Sequence, residues 1–202
     1  MLQIKLKVSE LLEIASKNEP HITEDLMVIA KENTSALVGL ENRFKSENSL
    51  YRKLNDRLSI QDFSSFRFAE VLDDFAKNIN DILRYTMVFK FETYTTDCLK
   101  TLQMLEEKNY QIKKIWNAWL TFQTRLDLGY RGVNTTLINP RRQIFELQFH
   151  TSESYTAKEA NHFLYEQMRL QTTNKESRKR LRQTQIENVA NLKFPQNIES
   201  IK

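Results

Sequence analysis

A chain of 202 residues, 40% hydrophobic and 28% charged, holds enough apolar material for one domain with a sizeable core. No apolar run approaches membrane-spanning length and no signal-peptide pattern opens the chain, so a cytoplasmic site of action without membrane contact is expected, including for an effector delivered by a route that uses no cleaved signal. The single cysteine, Cys98, excludes an internal disulfide, and the net charge of +4 suits polyanionic ligands.

In chain order, residues 8–17 and 23–39 are expected to be helices. The second has Glu24 and Asp25 in its first turn, where the helix dipole favours acids, and an apolar stripe of Leu26, Ile29, Ala30, Leu37 and Leu40. Residues 49–58 continue helical. Within RFKSENSLYRK, residues 43–53, Lys45, Ser49 and Lys53 stand at i, i+4 and i+8, one stripe of a helix. Two ammonium groups and a hydroxyl so arranged can track a triphosphate, although the same spacing fits a solvated helix face. Residues 64–78 are expected to be helical, packing through Phe66, Ala69, Val71, Phe75 and Ala76.

Residues 82–90 turn strand-like, with Leu83, Tyr85, Met87 and Phe89 alternating with Arg84, Thr86, Val88 and Lys90. Asp81 sits beside Arg84 at the mouth of this strand, as a cap or as a working acid. Residues 93–108 make the clearest amphipathic helix, with Cys98, Leu99, Leu102 and Leu105 inward. Residues 111–119 form a strand carrying both tryptophans; 131–138 and 143–150 form two more, joined by the turn Asn139-Pro140-Arg141-Arg142. Helices over 157–169 and 175–192 close the chain, and Pro195 ends the last. A central sheet with helices before, between and after it is an α+β arrangement.

The block GYRGVNTTLINPRRQIFELQFHT, residues 129–151, carries the densest chemistry. Ile144, Glu146, Gln148 and His150 alternate with Phe145, Leu147 and Phe149, so one strand face is polar and should look into water or a cleft. Two of the three glycines, Gly129 and Gly132, flank Tyr130, which implies a backbone that bends there or allows something close. Together these features suit a nucleotide site. The basic run 175–182 is the densest, with Arg141-Arg142 a second spot. It reads as a solvated helix face or a nucleic-acid patch, and no aromatic interleaves it as a stacking platform would require.

Five segments in order, RFKSENSLYRKL, NDILRYTMVF, NYQIKKIWNAW, GYRGVNTTL and FELQFHTSESYTAKEANHFLYE, resemble the synthetase domain of the RelA/SpoT-type nucleotide pyrophosphokinases, over roughly residues 23–201. FELQFHT and the His162-Phe-Leu-Tyr-Glu run look closest to stand-alone and toxin-like branches. His21, His150 and His162 are the only histidines, too few for the histidine–aspartate hydrolase half.

The resemblance implies a nucleotidyltransferase-like fold, a central mixed sheet flanked by helices. Its catalytic core would span 23–170, with a helical extension at 1–22 and a helix and tail at 171–202. It further implies transfer of the β,γ-pyrophosphate of ATP to a ribose 3′-hydroxyl. Arg43 and Arg84 would sandwich the donor adenine; Lys45, Ser49 and Lys53 would hold its phosphates; Asp81 would bind Mg²⁺. Glu146 would polarise the acceptor 3′-hydroxyl and share the metal, Tyr130 would stack on the acceptor purine, and Gln148 would contact the acceptor.

His150 stands where many alarmone synthetases, with EIQIRT, have arginine, and Gly132 and Asn134 stand where serine and histidine are usual. Asn134 and His150 would then face the acceptor with fewer fixed charges. A guanosine nucleotide stays among the expected acceptors, but the missing charges favour an adenine nucleotide or the 3′-end of a tRNA, and toxin-like kinship implies an antitoxin or immunity partner. A non-catalytic nucleotide- or RNA-binding module is the alternative, and the presence of both Asp81 and Glu146 speaks against it.

Overall fold

The computed structural model describes residues 2–59, 67–125, 128–170 and 172–202. Its first element is helix α1, Leu2–Glu32. Val8, Ala15, Ile22 and Ile29 recur every seven residues and are all fully buried, so one apolar stripe runs the length of the helix. That stripe joins the two helices expected over 8–17 and 23–39 across Pro20, which lies inside α1 and removes one backbone hydrogen bond. Burial on both sides of Pro20 outweighs that loss.

The expected helix over 23–39 is too long. The Ser35 N–H reaches back to the Ala30 carbonyl at 2.9 Å and the Thr34 N–H to that of Lys31 at 3.5 Å, with Thr34 left-handed (φ 49°). This is a Schellman closure, and it stops α1 at Glu32. Strand β1, Ala36–Val38, follows, so Leu37 lies on a sheet edge and Leu40 in the turn after it.

Helices α2 (Glu47–Ser59) and α3 (Phe68–Lys77) come next. Phe66 and the start of the helix expected over 64–78 lie outside the described residues. Then follow β2 (Arg84–Phe89), α4 (Tyr94–Glu107), β3 (Gln111–Asn117), α5 (Ala118–Thr124), β4 (Val133–Ile138), β5 (Ile144–Thr151), α6 (Ser152–Arg169) and α7 (Lys175–Ala190). The five strands form one sheet in the order β1-β2-β5-β4-β3. Among the described strands only the β2–β5 pair is parallel, so the sheet is mixed and the class is α+β, as expected.

One face of the sheet is core. Tyr85, Met87 and Phe89 of β2 and Phe145, Leu147 and Phe149 of β5 are all buried, each worth about 1.5–3 kcal/mol of transfer free energy. Helix α1 meets this face where Thr23 Oγ1 lies 3.0 Å from Tyr85 Oη, and α4 meets it where Tyr94 Oη donates to the Phe149 carbonyl at 2.8 Å. Cys98, Leu102 and Leu105 of α4 point inward, and burial pushes the Cys98 thiol well above its usual range. Leu99 does not join them: it is 39% exposed, one position and about 100° around the helix from Cys98.

The strand expected over 111–119 ends at Asn117, whose amide donates to the carbonyls of Ile198 (2.9 Å) and Ile201 (3.1 Å). Trp119 is therefore a buried residue of α5, donating to Tyr94 Oη at 3.3 Å. The β4–β5 turn forms as expected, with Asn139 Oδ1 accepting from the N–H groups of Arg141 and Gln143 at 3.0 and 2.8 Å. Helix α6 starts five residues before the expected 157, because Thr151 and Ser154 form a capping box directly after β5. No described helix is long and apolar enough to cross a membrane.

Candidate active site

The upstream end of β2 gathers most of the expected donor residues. Residues 43–45 run antiparallel to it: the Arg84 N–H donates to the Arg43 carbonyl at 2.8 Å and the Lys45 N–H to that of Ile82 at 2.9 Å. On the other side the Glu146 N–H donates to the Leu83 carbonyl at 3.0 Å, and Arg84 and Glu146 are register partners in the parallel pair. Asp81, just before the strand, receives Lys45 Nζ at 2.7 Å and Lys53 Nζ at 2.6 Å on its two carboxylate oxygens. Burial opposes a charge on Asp81, but the two ammonium groups more than offset it and hold the carboxyl below its usual range.

The helical stripe expected for Lys45, Ser49 and Lys53 is not a single helix. Lys45 lies in the extended segment before α2, which begins at Glu47. Lys45 and Lys53 still converge, because the pairing of 43–45 with β2 aims one and α2 aims the other at the same carboxylate. The Ser49 hydroxyl instead accepts from Ser46 at 2.9 Å. The lysines are also not the free, solvent-facing groups such a stripe suggests, since their side chains are 19% and 28% exposed. Arg43 is beside Arg84 in backbone, yet its guanidinium is engaged by Glu19 of α1 and the Leu40 carbonyl, both at 2.6 Å. Glu19, a buried carboxylate with no motif around it, gave no sign of this in the sequence.

Opposite residues of neighbouring strands share a face. The registers therefore align Arg84, Glu146, Thr136 and Lys114 in one row across the second face of the sheet, and Thr86, Gln148, Asn134 and Trp116 in the next. Gln148 donates to the Glu146 carboxylate and accepts from Thr86 at 3.5 Å. Burial pushes the Glu146 carboxyl above its usual range, against the Gln148 hydrogen bond and the Arg84 charge, and the nearby Asp81 charge adds to the rise. Two carboxylates thus sense each other at one end of a parallel strand pair. Asn80 reaches over the same face to Thr136 Oγ1 at 3.0 Å.

The polar face of β5 does not simply look into water. Gln148 is 5% exposed and His150 is fully buried, because α6 starts immediately after β5 and the Tyr130 segment closes over its end. Tyr130 Oη donates to Asn134 Oδ1 and lies 2.9 Å from His150 Nε2, while His150 Nδ1 lies 3.0 Å from Ser154 Oγ. Burial, with the Lys158 charge, pushes the His150 pKa down to about 3, so the ring is neutral near pH 7.

The glycines beside Tyr130 serve close approach rather than a special backbone angle. A Cβ on Gly132 would lie 2.7 Å from His150 Cε1, and one on Gly129 would lie 2.8 Å from Gln185 Cβ of α7. Buried Arg131 donates to the Leu128 and Tyr130 carbonyls at 3.2 and 2.8 Å, and Asn161 of α6 to that of Gly129 at 2.8 Å. Tyr130 also stacks on Trp116, centroids 5.7 Å apart and planes 12° from parallel. Trp116, Thr136 and Asn161 were missed as site residues. Strand alternation along 111–117 could have flagged Trp116, but nothing local marks the other two.

No protein-family model matches the chain, and no curated protein is similar to it in sequence. Solved structures do match. The Type VI effector Tas1, solved in complex with its immunity protein, superposes with a TM-score of 0.55 at 15% identity, covering 90% of this chain and 94% of that one. The small alarmone synthetase 2 from Bacillus subtilis superposes with a TM-score of 0.57 at 14% identity, covering 88% and 89%. The chain has the RelA/SpoT-type synthetase fold. A GTP pyrophosphokinase family protein from Streptococcus pneumoniae shares it too, with a TM-score of 0.51 at 14% identity over 88% of both chains. Such low identity speaks for the fold alone, so the chemistry rests on this chain's own residues.

Proposed function

We propose that the protein is an ATP-dependent pyrophosphokinase acting on the ribose 3′-hydroxyl of a purine nucleotide. The observation that carries this reading is the pairing of Asp81, flanked by Lys45 and Lys53, with Glu146, flanked by Arg84, at one end of the β2–β5 pair. In the reaction the acceptor 3′-oxygen bonds to the β-phosphorus of ATP, the bond from that phosphorus to the α,β-bridging oxygen breaks, and AMP leaves. Glu146 takes the 3′-hydroxyl proton, a role suited to a carboxyl whose affinity for protons burial has raised. Lys45 and Lys53 leave Asp81 for the triphosphate, and Arg84, with Arg43 once it releases Glu19, takes the adenine between guanidinium planes.

Asp81 and Glu146 fit Mg²⁺, which is commonly bound by one or two carboxylates plus substrate phosphates. Among the described residues no group of three or more His, Cys, Asp or Glu gathers, so Asp81 and Glu146 would hold the ion together with nucleotide phosphates. When bound, the ion would neutralise the charge on the transferring group. An ATP-consuming reaction fits a cytoplasmic site of action.

A toxin-like role draws on the likeness to Tas1, whose structure includes an immunity protein, and implies such a partner here. A tRNA 3′-end as acceptor draws on the exposed side chains of Arg178, Lys179, Arg180 and Arg182 on α7 and of Arg141 and Arg142 in the β4–β5 turn. Incubation with γ-labelled ATP, Mg²⁺ and separate pools of GDP, ADP and deacylated tRNA tests these readings together. Label should move to one acceptor and AMP should appear in equal amount. Release of inorganic phosphate alone, or no turnover with any acceptor, would reduce the protein to a nucleotide-binding module.

A further inference from the structure

Resting on that reading, we propose that Trp116 is a second base-contacting ring of the acceptor site, forming with Tyr130 one preassembled platform for a purine. The register puts Trp116 in the row Thr86–Gln148–Asn134–Trp116, next to the row that holds Glu146 and on the same face of the sheet. Trp116 lies two strands from Glu146, about 10 Å across the sheet. A nucleoside bridges a gap of that order between its 3′-oxygen and the far edge of its base. A ring at Trp116 is therefore placed for the base while the hydroxyl sits at Glu146.

Both rings are fixed before any ligand arrives. The Trp116 indole N–H donates to Thr121 Oγ1 at 3.0 Å, and that hydroxyl donates to the Asn117 carbonyl at 3.1 Å. Tyr130 is held by Asn134 and by buried His150, itself joined to Ser154 at the start of α6. His150 is thus a positioning residue for the platform. Rings held this way lose little freedom on binding.

The core does not account for Trp116. Trp119, three residues on, is fully buried, whereas Trp116 and Tyr130 are both only partly covered. Among the described residues the rings against Tyr130 are Trp116, stacked, and His150, at 5.3 Å and 87°. Stacking tolerates any purine, which suits a site that carries few fixed charges beside the base.

Tryptophan emission provides a readout independent of turnover. GDP and ADP are titrated separately into the full chain, its Trp116→Phe variant, which keeps a ring, and its Trp116→Leu variant, which keeps bulk on β3 without one. Binding is measured in parallel by calorimetry. At least one nucleotide should quench emission in the parent chain, and that quench should vanish in Trp116→Phe while binding persists. In Trp116→Leu affinity should fall about tenfold, the usual loss of one base–aromatic stack. The acceptor KM should rise by a similar factor with kcat little changed.

Equal affinity in the parent chain and in folded Trp116→Leu would overturn the proposal. So would tighter binding in Trp116→Leu, which would make the indole a plug, or the absence of binding by either nucleotide. Quenching without turnover would leave the base contact standing and sink only the pyrophosphokinase reading. Turnover with an unchanged acceptor KM in Trp116→Leu would do the reverse.

Discussion

His150 offers a sharp test of the buried network, because its ring is neutral by construction. Ser154 Oγ accepts from the Thr151 N–H at 3.0 Å and has two acceptors for its own proton, the Thr151 carbonyl at 3.3 Å and, closer, His150 Nδ1 at 3.0 Å. The Nε2 proton then goes to Tyr130 Oη, and the phenol proton to Asn134 Oδ1. Burial also pushes the Tyr130 pKa well above its usual value, so the phenol remains a donor. A second proton on the imidazole would reverse the Ser154 bond and bury a cation in range of Lys158.

The folded pKa of about 3 lies below the ordinary unfolded value of about 6.5. Between those values the unfolded chain binds more protons, so stability is fully present above about pH 6.5 and declines as the medium is acidified towards pH 3. At about 1.4 kcal/mol per pH unit, the loss from this one ring between pH 7 and pH 5 is about 2 kcal/mol. For a chain of this size that corresponds to about 4–8 °C in Tm. Urea melts of the parent chain and of His150→Gln at both pH values isolate the effect, because all other titrations cancel in the difference. The stability gap between the two proteins should shrink by about 2 kcal/mol on acidification. A gap constant to within about 0.5 kcal/mol would mean that His150 titrates normally and that the closed network is wrong.

Asp81→Asn removes the anion that Lys45 and Lys53 share at 2.7 and 2.6 Å, leaving two ammonium groups facing each other, and should cost about 3 kcal/mol in a thermal melt. Lys53→Met keeps the Lys45 pair and should cost less; the opposite order would rule out a shared anion. Glu146→Gln should cut turnover about a hundredfold to ten-thousandfold while Tm holds or rises, since burial opposes the native carboxylate's charge. Near-parental turnover would remove Glu146 from the chemistry. Gly132→Ala puts a Cβ 2.7 Å from His150 Cε1 and 3.0 Å from Tyr130 Oη, so stability should fall by about 1–3 kcal/mol and the acceptor KM should rise. An unaltered KM would mean that the Tyr130 ring needs no such fixing.

Several elements were legible in the chain because their signals are local. Period-2 alternation marked β2 and β5 and sorted Tyr85, Met87, Phe89, Phe145, Leu147 and Phe149 onto the core face. Helical periodicity marked α4, and the Asn139 turn declared itself through side-chain-to-backbone chemistry. Where two local rules competed, the tertiary structure decided. Pro20 argues for a break, but the stripe from Val8 to Ile29 packs as one surface, so α1 runs through it. The stretch after Glu32 continues an apolar spacing, yet the open edge of β2 takes Ala36–Val38 as a strand, since edge pairing satisfies backbone groups that a longer helix would leave idle.

The site divides along the same line. Asp81, Glu146, Lys45, Lys53 and Tyr130 were nameable from residue type and order. Their meeting depends on β2 pairing in parallel with β5 across some sixty residues of chain, a contact for which no local pattern codes. The same pairing, with α6 beginning at once after β5, turned His150 from an expected cleft residue into a buried strut. The antiparallel β5–β4 and β4–β3 pairings brought Trp116, two strands away, onto the face that carries Glu146. Composition and periodicity decide which side chains are able to act; strand order and burial decide which ones meet, because only the folded sheet sets their distances and removes water from between them.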